Sequence, residues 1–200
     1  MRKVGLTGSI AVGKTFVCDV FRELGCHVLD ADVAAREVVK PGTVGLQQIE
    51  HSFGQDVLQT DGTLDRQKLG AIVFSDESKR RLLNSILHPL IIELQDEWIE
   101  DVRQRDPDGI VIVDAALMIE SGGHKRFDHL IVVWCDPEVQ LKRLMTRDGL
   151  SEEDAAKRIA SQMPQEEKKR YADHLIDTSE GFDSTREQVR DVFGKLKSGG

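Results

Sequence analysis

Two hundred residues suit one domain with small inserted lobes, and 40% apolar content is enough for a buried core. The balance of 27 basic against 35 acidic residues gives a net charge of −8, which argues against a general nucleic-acid surface. Cys18, Cys26 and Cys135 lack C-x-x-C spacing and sit among apolar neighbours, so they read as buried free thiols. With no long apolar run and no signal-peptide start, a soluble cytoplasmic protein with no membrane partner is expected.

The first predicted element is a strand, Lys3 to Thr7. It leads into Gly8-Ser9-Ile10-Ala11-Val12-Gly13-Lys14-Thr15, which fits the phosphate-loop pattern G-x-x-x-x-G-K-[ST]. A helix from Phe16 to Leu24 follows, stopped by Gly25. A chain turning tightly into a helix aims several backbone N–H groups at one point, where the helix dipole adds positive charge. Lys14 is placed to reach the outer phosphates of a nucleotide and Thr15 to offer its hydroxyl to Mg²⁺. Gly8 and Gly13 allow turns and a close approach that a side chain would hinder.

A second strand, His27 to Asp30, runs into Asp30-Ala31-Asp32. Carboxylates at the carboxyl end of a strand beside a phosphate loop lie where open α/β sheets bind ligands. Asp32 suits a base or a carboxylate that orients a Mg²⁺-bound water. For Asp30 a site role and a strand-end role stay open, and either Asp could cap a helix starting at Val33.

From Val33 to about Arg105 the pattern is helical. Gly42-Thr43 opens a helix to Phe53, Gln59 to Thr63 is a turn, and Leu64 to Phe74 is helical. A long helix from about Asp76 to Val102 contains His88-Pro89, and Pro89 should bend it. More than seventy residues between two strands is too long for a plain crossover and predicts a separate lobe. On the residues alone, His88 and Arg66 read as a structural histidine and a surface charge.

Ile110 to Asp114 is an apolar run ending in Asp, a buried parallel strand with a terminal carboxylate that suits Mg²⁺. Ala115 to Glu120 leads to a loop. His129 to Cys135 is the fourth strand, and a helix from Val139 to Thr146 stops at Gly149. Arg143 and Arg147 lie one turn apart on one face, either to neutralise a transferring phosphoryl group or as a solvated basic face. Ser151 to Asp154 resembles a capping box, and Pro164 starts a helix carrying Lys168, Lys169 and Arg170. His174 to Asp177 is the last strand. A helix from about Ser184 to Leu196 and a frayed tail, Ser198 to Gly200, close the chain.

Five strands alternating with helices predict an α/β, three-layer P-loop kinase-type fold with a parallel sheet in the order 2-3-1-4-5. The expected division is a nucleotide-binding core (1–32, 104–140 and 172–200), a helical substrate lobe (33–103) and a lid (141–171). A guanine-reading Asn-Lys-x-Asp motif is absent, since the one Asn is Asn84, and so is G-x-G-x-x-G. A kinase of a small hydroxylated metabolite and a nucleotide-dependent switch or assembly ATPase both remain open on these residues.

One family shares the ordered set of Leu6-Thr7-Gly8 with the phosphate loop, Asp30-Ala31-Asp32, Asp61 to Arg66, His88-Pro89, Leu117 to Glu120, Arg143 with Arg147, Arg158 with Gln162, and Ala172 to Asp177. The chain resembles dephospho-coenzyme A kinase over nearly its whole length. The resemblance implies γ-phosphoryl transfer from ATP, with Mg²⁺, to the ribose 3′-hydroxyl of dephospho-coenzyme A. It implies a nucleotide site of Gly8, Ala11, Val12, Gly13, Lys14, Thr15, Phe16 and Arg147, with Thr15 and Asp114 toward Mg²⁺. Asp32, Lys14 and Arg143 become the catalytic set, and Asp32, Arg66, His88, Leu117 and Glu120 the acceptor side. The lobe at 33–103 would then hold the coenzyme A moiety. The family usually has Gly where this chain has Ser9, Ala11 and Val12, so the turn is expected to stay in ordinary backbone space. Ala116, Ile119 and Thr178 also depart from its usual residues.

Overall fold

The structure, a computed structural model, describes residues 1–198. Its strands are β1 (Arg2–Thr7), β2 (His27–Asp30), β3 (Ile110–Asp114), β4 (His129–Trp134) and β5 (His174–Asp177). All neighbouring pairs are parallel, in the order β2-β3-β1-β4-β5, as the alternation of elements implied. The register sets Leu6, Asp114 and Asp30 side by side at the carboxyl ends of β1, β3 and β2.

Strand alternation divides the sheet's side chains between two covered faces. Val4, Leu6, Ile110, Ile112, Ile131, Val133 and Ile176 pack on one side with Val17, Val20 and Phe21 of α1 (Lys14–Glu23) and Val189, Val192 and Leu196 of α9 (Phe182–Ser198). On the other side a Cβ at Gly5 would meet Met118 Sδ and the Phe127 ring, so the chain after β3 lies directly on the sheet. The three cysteines are buried free thiols, and burial pushes Cys26 up to about 12.

The chain forms two compact units, Met1–Asp30 with the chain from Val102 onward, and Ala31–Asp101. The second unit holds α2 (Ala31–Glu37), α3 (Val44–Phe53), α4 (Arg66–Ser75) and most of α5 (Glu77–Arg105). Its core is Val38, Val39, Leu46, Ile49, Val57, Leu64 and Leu69, with the α5 leucines against them. Local chemistry starts its helices: Thr43 Oγ1 accepts from Leu46 N, and Asp65 Oδ1 from Lys68 N. The Gln59–Thr63 turn closes a small antiparallel bridge between Leu58 and Leu64.

Several boundaries differ from the sequence expectation. Helix α1 begins at Lys14, because Gly13, at φ 88°, already turns the chain into it. Helix α2 begins at Ala31, so Asp32 lies in its first turn rather than at its cap; the dipole favours a carboxylate there. Helix α5 is continuous across Pro89 and ends at Arg105. In the first unit, α6 spans Pro137–Asp148, with Pro137 in the first turn where its missing N–H costs nothing. Then come α7 (Glu152–Ala160), capped by Ser151, and α8 (Gln165–Lys169). Ser198 ends α9, and the expected tail at Gly199 and Gly200 lies outside the described residues. Among the described residues no helix is long and apolar enough to cross a membrane.

Candidate active site

The phosphate loop runs from Gly8, at the end of β1, to Thr15 in α1. A Cβ at Gly8 would collide with the Val133 carbonyl oxygen and press on Val12 Cγ2, so only glycine fits between the loop and β4. Contrary to the sequence expectation, the turn does leave ordinary backbone space. It does so at Ala11 (φ 61°) and Gly13 (φ 88°), while Val12 stays out of the left-handed region. The smallest side chain takes the strained position, at a cost of about 1–2 kcal/mol.

That strain is held by side chains outside the loop. The Ile10 carbonyl accepts from Gln140 Nε2 at 2.8 Å, and the Ile10 N–H donates to Gln162 Oε1 at 2.8 Å. The Val12 carbonyl accepts from Thr178 Oγ1 at 2.8 Å. In a trans peptide C=O and N–H point opposite ways, so the Ala11 and Gly13 N–H groups are turned away from Gln140 and Thr178. Ala11, Val12, Gly13, Lys14 and Thr15 line a cleft of about 540 Å³, closed on its other side by Lys142, Arg143, Thr146 and Arg147 of α6. Two backbone amides, a helix N-terminus, two lysines and two arginines around one cavity make an anion site of the kind a polyphosphate fits.

Arg143 is fixed in place. Its two terminal nitrogens donate to Thr178 Oγ1 and to the Thr178 carbonyl, each at 2.8 Å. Arg147 borders the cleft but bonds Asp148 Oδ1 through Nε at 2.7 Å, and Arg158 reaches Asp148 Oδ2 at 2.8 Å. These hydrogen bonds, Arg147 first, hold the Asp148 carboxyl below the ordinary range. Because the arginines are half exposed, the pairs are weak and open to exchange for a phosphate. Phe16, which is not among the residues lining the cleft, packs its ring 4.7 Å from Phe182.

A metal ion beside this cleft would meet hard oxygen donors. Thr15 offers a hydroxyl, and Asp114 ends β3 with Oδ2 accepting a weak bond from Cys18 Sγ at 3.6 Å. No group of three or more His, Cys, Asp or Glu that could cage a metal exists among the described residues. That donor set fits Mg²⁺, which keeps waters and phosphate oxygens and takes only one or two protein ligands.

Three comparisons with known proteins bear on this geometry. The family model for dephospho-CoA kinase matches residues 2–184. The dephospho-CoA kinase of Listeria monocytogenes (strain F2365) is 44% identical over 192 residues, 94% of each chain. That of Arabidopsis thaliana is 42% identical over 202 residues, 98% of this chain and 84% of its own. The chain belongs to the dephospho-CoA kinase family. The solved dephospho-CoA kinase from Campylobacter jejuni matches with a TM-score of 0.74 at 29% identity, covering 98% of both chains.

The remaining residues that the resemblance to dephospho-CoA kinase singled out lie in two places. Leu117 is half exposed, on the segment after β3. Glu120, on the same segment, pairs with Lys168 Nζ at 2.8 Å. Lys168 is fully buried and also donates to the Ala116 carbonyl at 2.8 Å. Burial lowers its pKa, and Glu120 opposes that shift. Lys168 is therefore a buried cation of α8, not a solvated one. In the helical unit, Asp32, Arg66 and His88 are all exposed, on the first turn of α2, the first turn of α4 and the middle of α5.

Gln140, Gln165 and Lys168 were not legible as site residues, and Thr178 only as a departure from the family's usual residue. One signal existed for Gln140: it stands four residues before Leu144, which is fully buried, so it occupies the apolar stripe of α6.

Proposed function

We infer that the protein transfers the γ-phosphoryl group of ATP to the ribose 3′-hydroxyl of dephospho-coenzyme A, giving coenzyme A and ADP. This is the last step of coenzyme A biosynthesis. The observation that carries the reading is the cleft between the phosphate loop and α6, in a chain of this family. Its anion-binding character accounts for the nucleotide, and membership of the family for the acceptor.

In this reading the Ala11 and Gly13 amides, Lys14 and the start of α1 hold the phosphates. Arg143 faces the transferred group and Arg147 exchanges Asp148 for a phosphate. Thr15 and Asp114 are the residues that would hold Mg²⁺, which supplies neutralisation of the phosphate charge when bound. Asp32 orients the acceptor hydroxyl and takes its proton as the new O–P bond forms and the bond to the ADP oxygen breaks. Arg66, His88, Leu117 and Glu120 serve the acceptor; residues 33–103 are the acceptor lobe and 141–171 the lid. The buried, unpaired thiols suit a reducing cytoplasm.

The test mixes protein and Mg-ATP with a panel of acceptors that includes dephospho-coenzyme A, and follows ADP. Release only with dephospho-coenzyme A, together with coenzyme A formation, is the expected result. ADP without any acceptor would replace this reading with an ATPase.

A further inference from the structure

Ile10 is gripped on both of its backbone polar groups, by side chains 130 and 152 residues away. Gln140 is 2% exposed. Its amide is oriented by a second glutamine: Gln165 Nε2 donates to Gln140 Oε1 at 2.9 Å, leaving Gln140 Nε2 free to donate to the Ile10 carbonyl. Gln165 is itself fixed to the chain at the end of β4, accepting from Cys135 N and donating to the Cys135 carbonyl, both at 3.1 Å. The relay runs from the Cys135 backbone through Gln165 and Gln140 to Ile10. Gln162 reaches Ile10 independently, three residues before Gln165 in the chain.

We propose that Gln140 and Gln162 are positioning residues for nucleotide binding, and that Gln165 acts through Gln140. Neither need touch the nucleotide. Their hydrogen bonds fix the two peptides flanking Ile10, so the Ala11 N–H stays turned to the opposite side and Ala11 stays left-handed. Without them, rotation of the Ile10–Ala11 peptide relieves the Ala11 backbone and withdraws a phosphate donor. The fraction of loops competent to bind then falls, and apparent affinity falls with it. This rests on the reading that the loop takes the ATP phosphates.

The two glutamines have opposite polarity toward Ile10, which makes the proposal testable. Gln162 is an acceptor, so Gln162→Glu keeps its bond while Gln162→Met removes it. Gln140 is a donor, so Gln140→Glu and Gln140→Met both remove its bond at nearly constant volume. In the nucleotide-free protein, amide exchange at Ile10 should quicken about tenfold or more in Gln162→Met and stay near wild type in Gln162→Glu. Calorimetry should show the Kd for Mg-ATP raised about five- to tenfold in Gln162→Met and Gln140→Met, with Gln140→Glu no better than Gln140→Met. KM for the acceptor and kcat at saturating ATP should stay within about twofold, since the chemical step is untouched. A fall in melting temperature with unchanged Kd would overturn the proposal, as would equal Ile10 exchange in Gln162→Met and Gln162→Glu. If Gln140→Met fails to fold, the Gln162 pair decides alone, since that side chain is not fully buried. Wild-type Mg-ATP binding without transfer to dephospho-coenzyme A would defeat the functional reading and leave the grip standing.

Discussion

In the sheet unit the residues around the phosphate loop are buried and bonded before any ligand arrives. Gln140 and Thr178 are 2% and 4% exposed, and both are tied to loop carbonyls. In the helical unit Asp32, Arg66 and His88 lie on the surface, and the core behind them is apolar. A buried polar group needs its partners in the folded state, because leaving one unmade costs about 1–3 kcal/mol. A surface group stays solvated and carries no such debt. Substitutions in the first region should therefore move stability together with nucleotide handling, and substitutions in the second should move turnover or acceptor KM alone.

The largest effect expected is at Asp32. Asp32→Asn keeps the shape and removes the proposed proton acceptor, so kcat should fall about 10²- to 10⁴-fold. Because the residue is exposed, melting temperature and the Kd for Mg-ATP should stay at wild type. Rapid-quench turnover beside calorimetry measures both. Wild-type turnover would remove Asp32 from the chemistry, and a large stability loss would break the contrast between the regions.

Arg143→Ala comes next. If Arg143 serves the transferred phosphoryl group as proposed, losing its guanidinium should cost about 10²-fold in kcat. Unlike Asp32→Asn, it also strips the Thr178 carbonyl of its donor, so melting temperature should fall. Thr178→Val separates the two contributions: the hydroxyl bonds to Val12 and Arg143 go, while the guanidinium remains. That variant should weaken Mg-ATP binding more than it slows chemistry. Equal losses of kcat and affinity in Arg143→Ala would make Arg143 a binding group only.

Lys168→Met probes burial itself. The variant leaves the Ala116 carbonyl and Glu120 without the ammonium, at a cost of about 2–3 kcal/mol in urea unfolding. Its pH dependence has a defined sign. Burial lowers the folded pKa of Lys168, so just below the ordinary lysine value the unfolded chain holds more protons than the folded one. The contribution of this group to stability therefore rises as pH climbs into that window, and the difference between wild type and Lys168→Met should widen there.

What the sequence made legible was local or periodic. The phosphate loop and the capping side chains Thr43, Asp65 and Ser151 depend on neighbours within a few residues, and the parallel sheet follows from the alternation of strands and helices. What it hid was nonlocal. Lys168 sits on a five-residue helix, too short to display a periodic face, and its partners are 48 and 52 residues away. The left-handed Ala11 has no local mark: the sequence speaks only against that conformation at Val12, whose side chain is branched, and the loop puts the strain one residue earlier. Asp32, Arg66 and His88 pose the converse problem. All three are exposed, so burial does not mark them; Asp32 was legible from its place beside the phosphate loop, and Arg66 and His88 only through resemblance.

The smallest effect lies far from the loop, where β4 and β5 begin. The rings of His129 and His174 stand 5.6 Å apart, and His174 Nε2 is buried without a hydrogen-bond partner. Burial, and then the His129 charge, lower the His174 pKa. An unfolded histidine takes a proton near pH 6.5 while the folded one resists it. The stability tied to this group is thus complete above about pH 6.5 and is lost as pH falls through the folded value. His174→Asn should flatten the drop in urea midpoint between pH 7.5 and pH 5, with Mg-ATP affinity at pH 7.5 unchanged. Equal drops in wild type and variant would mean that the imidazole is solvated. A change in affinity would mean that polar burial anywhere in the sheet reaches the loop, and the contrast between a buried site and an exposed one would then be one of the whole sheet unit rather than of its glutamines.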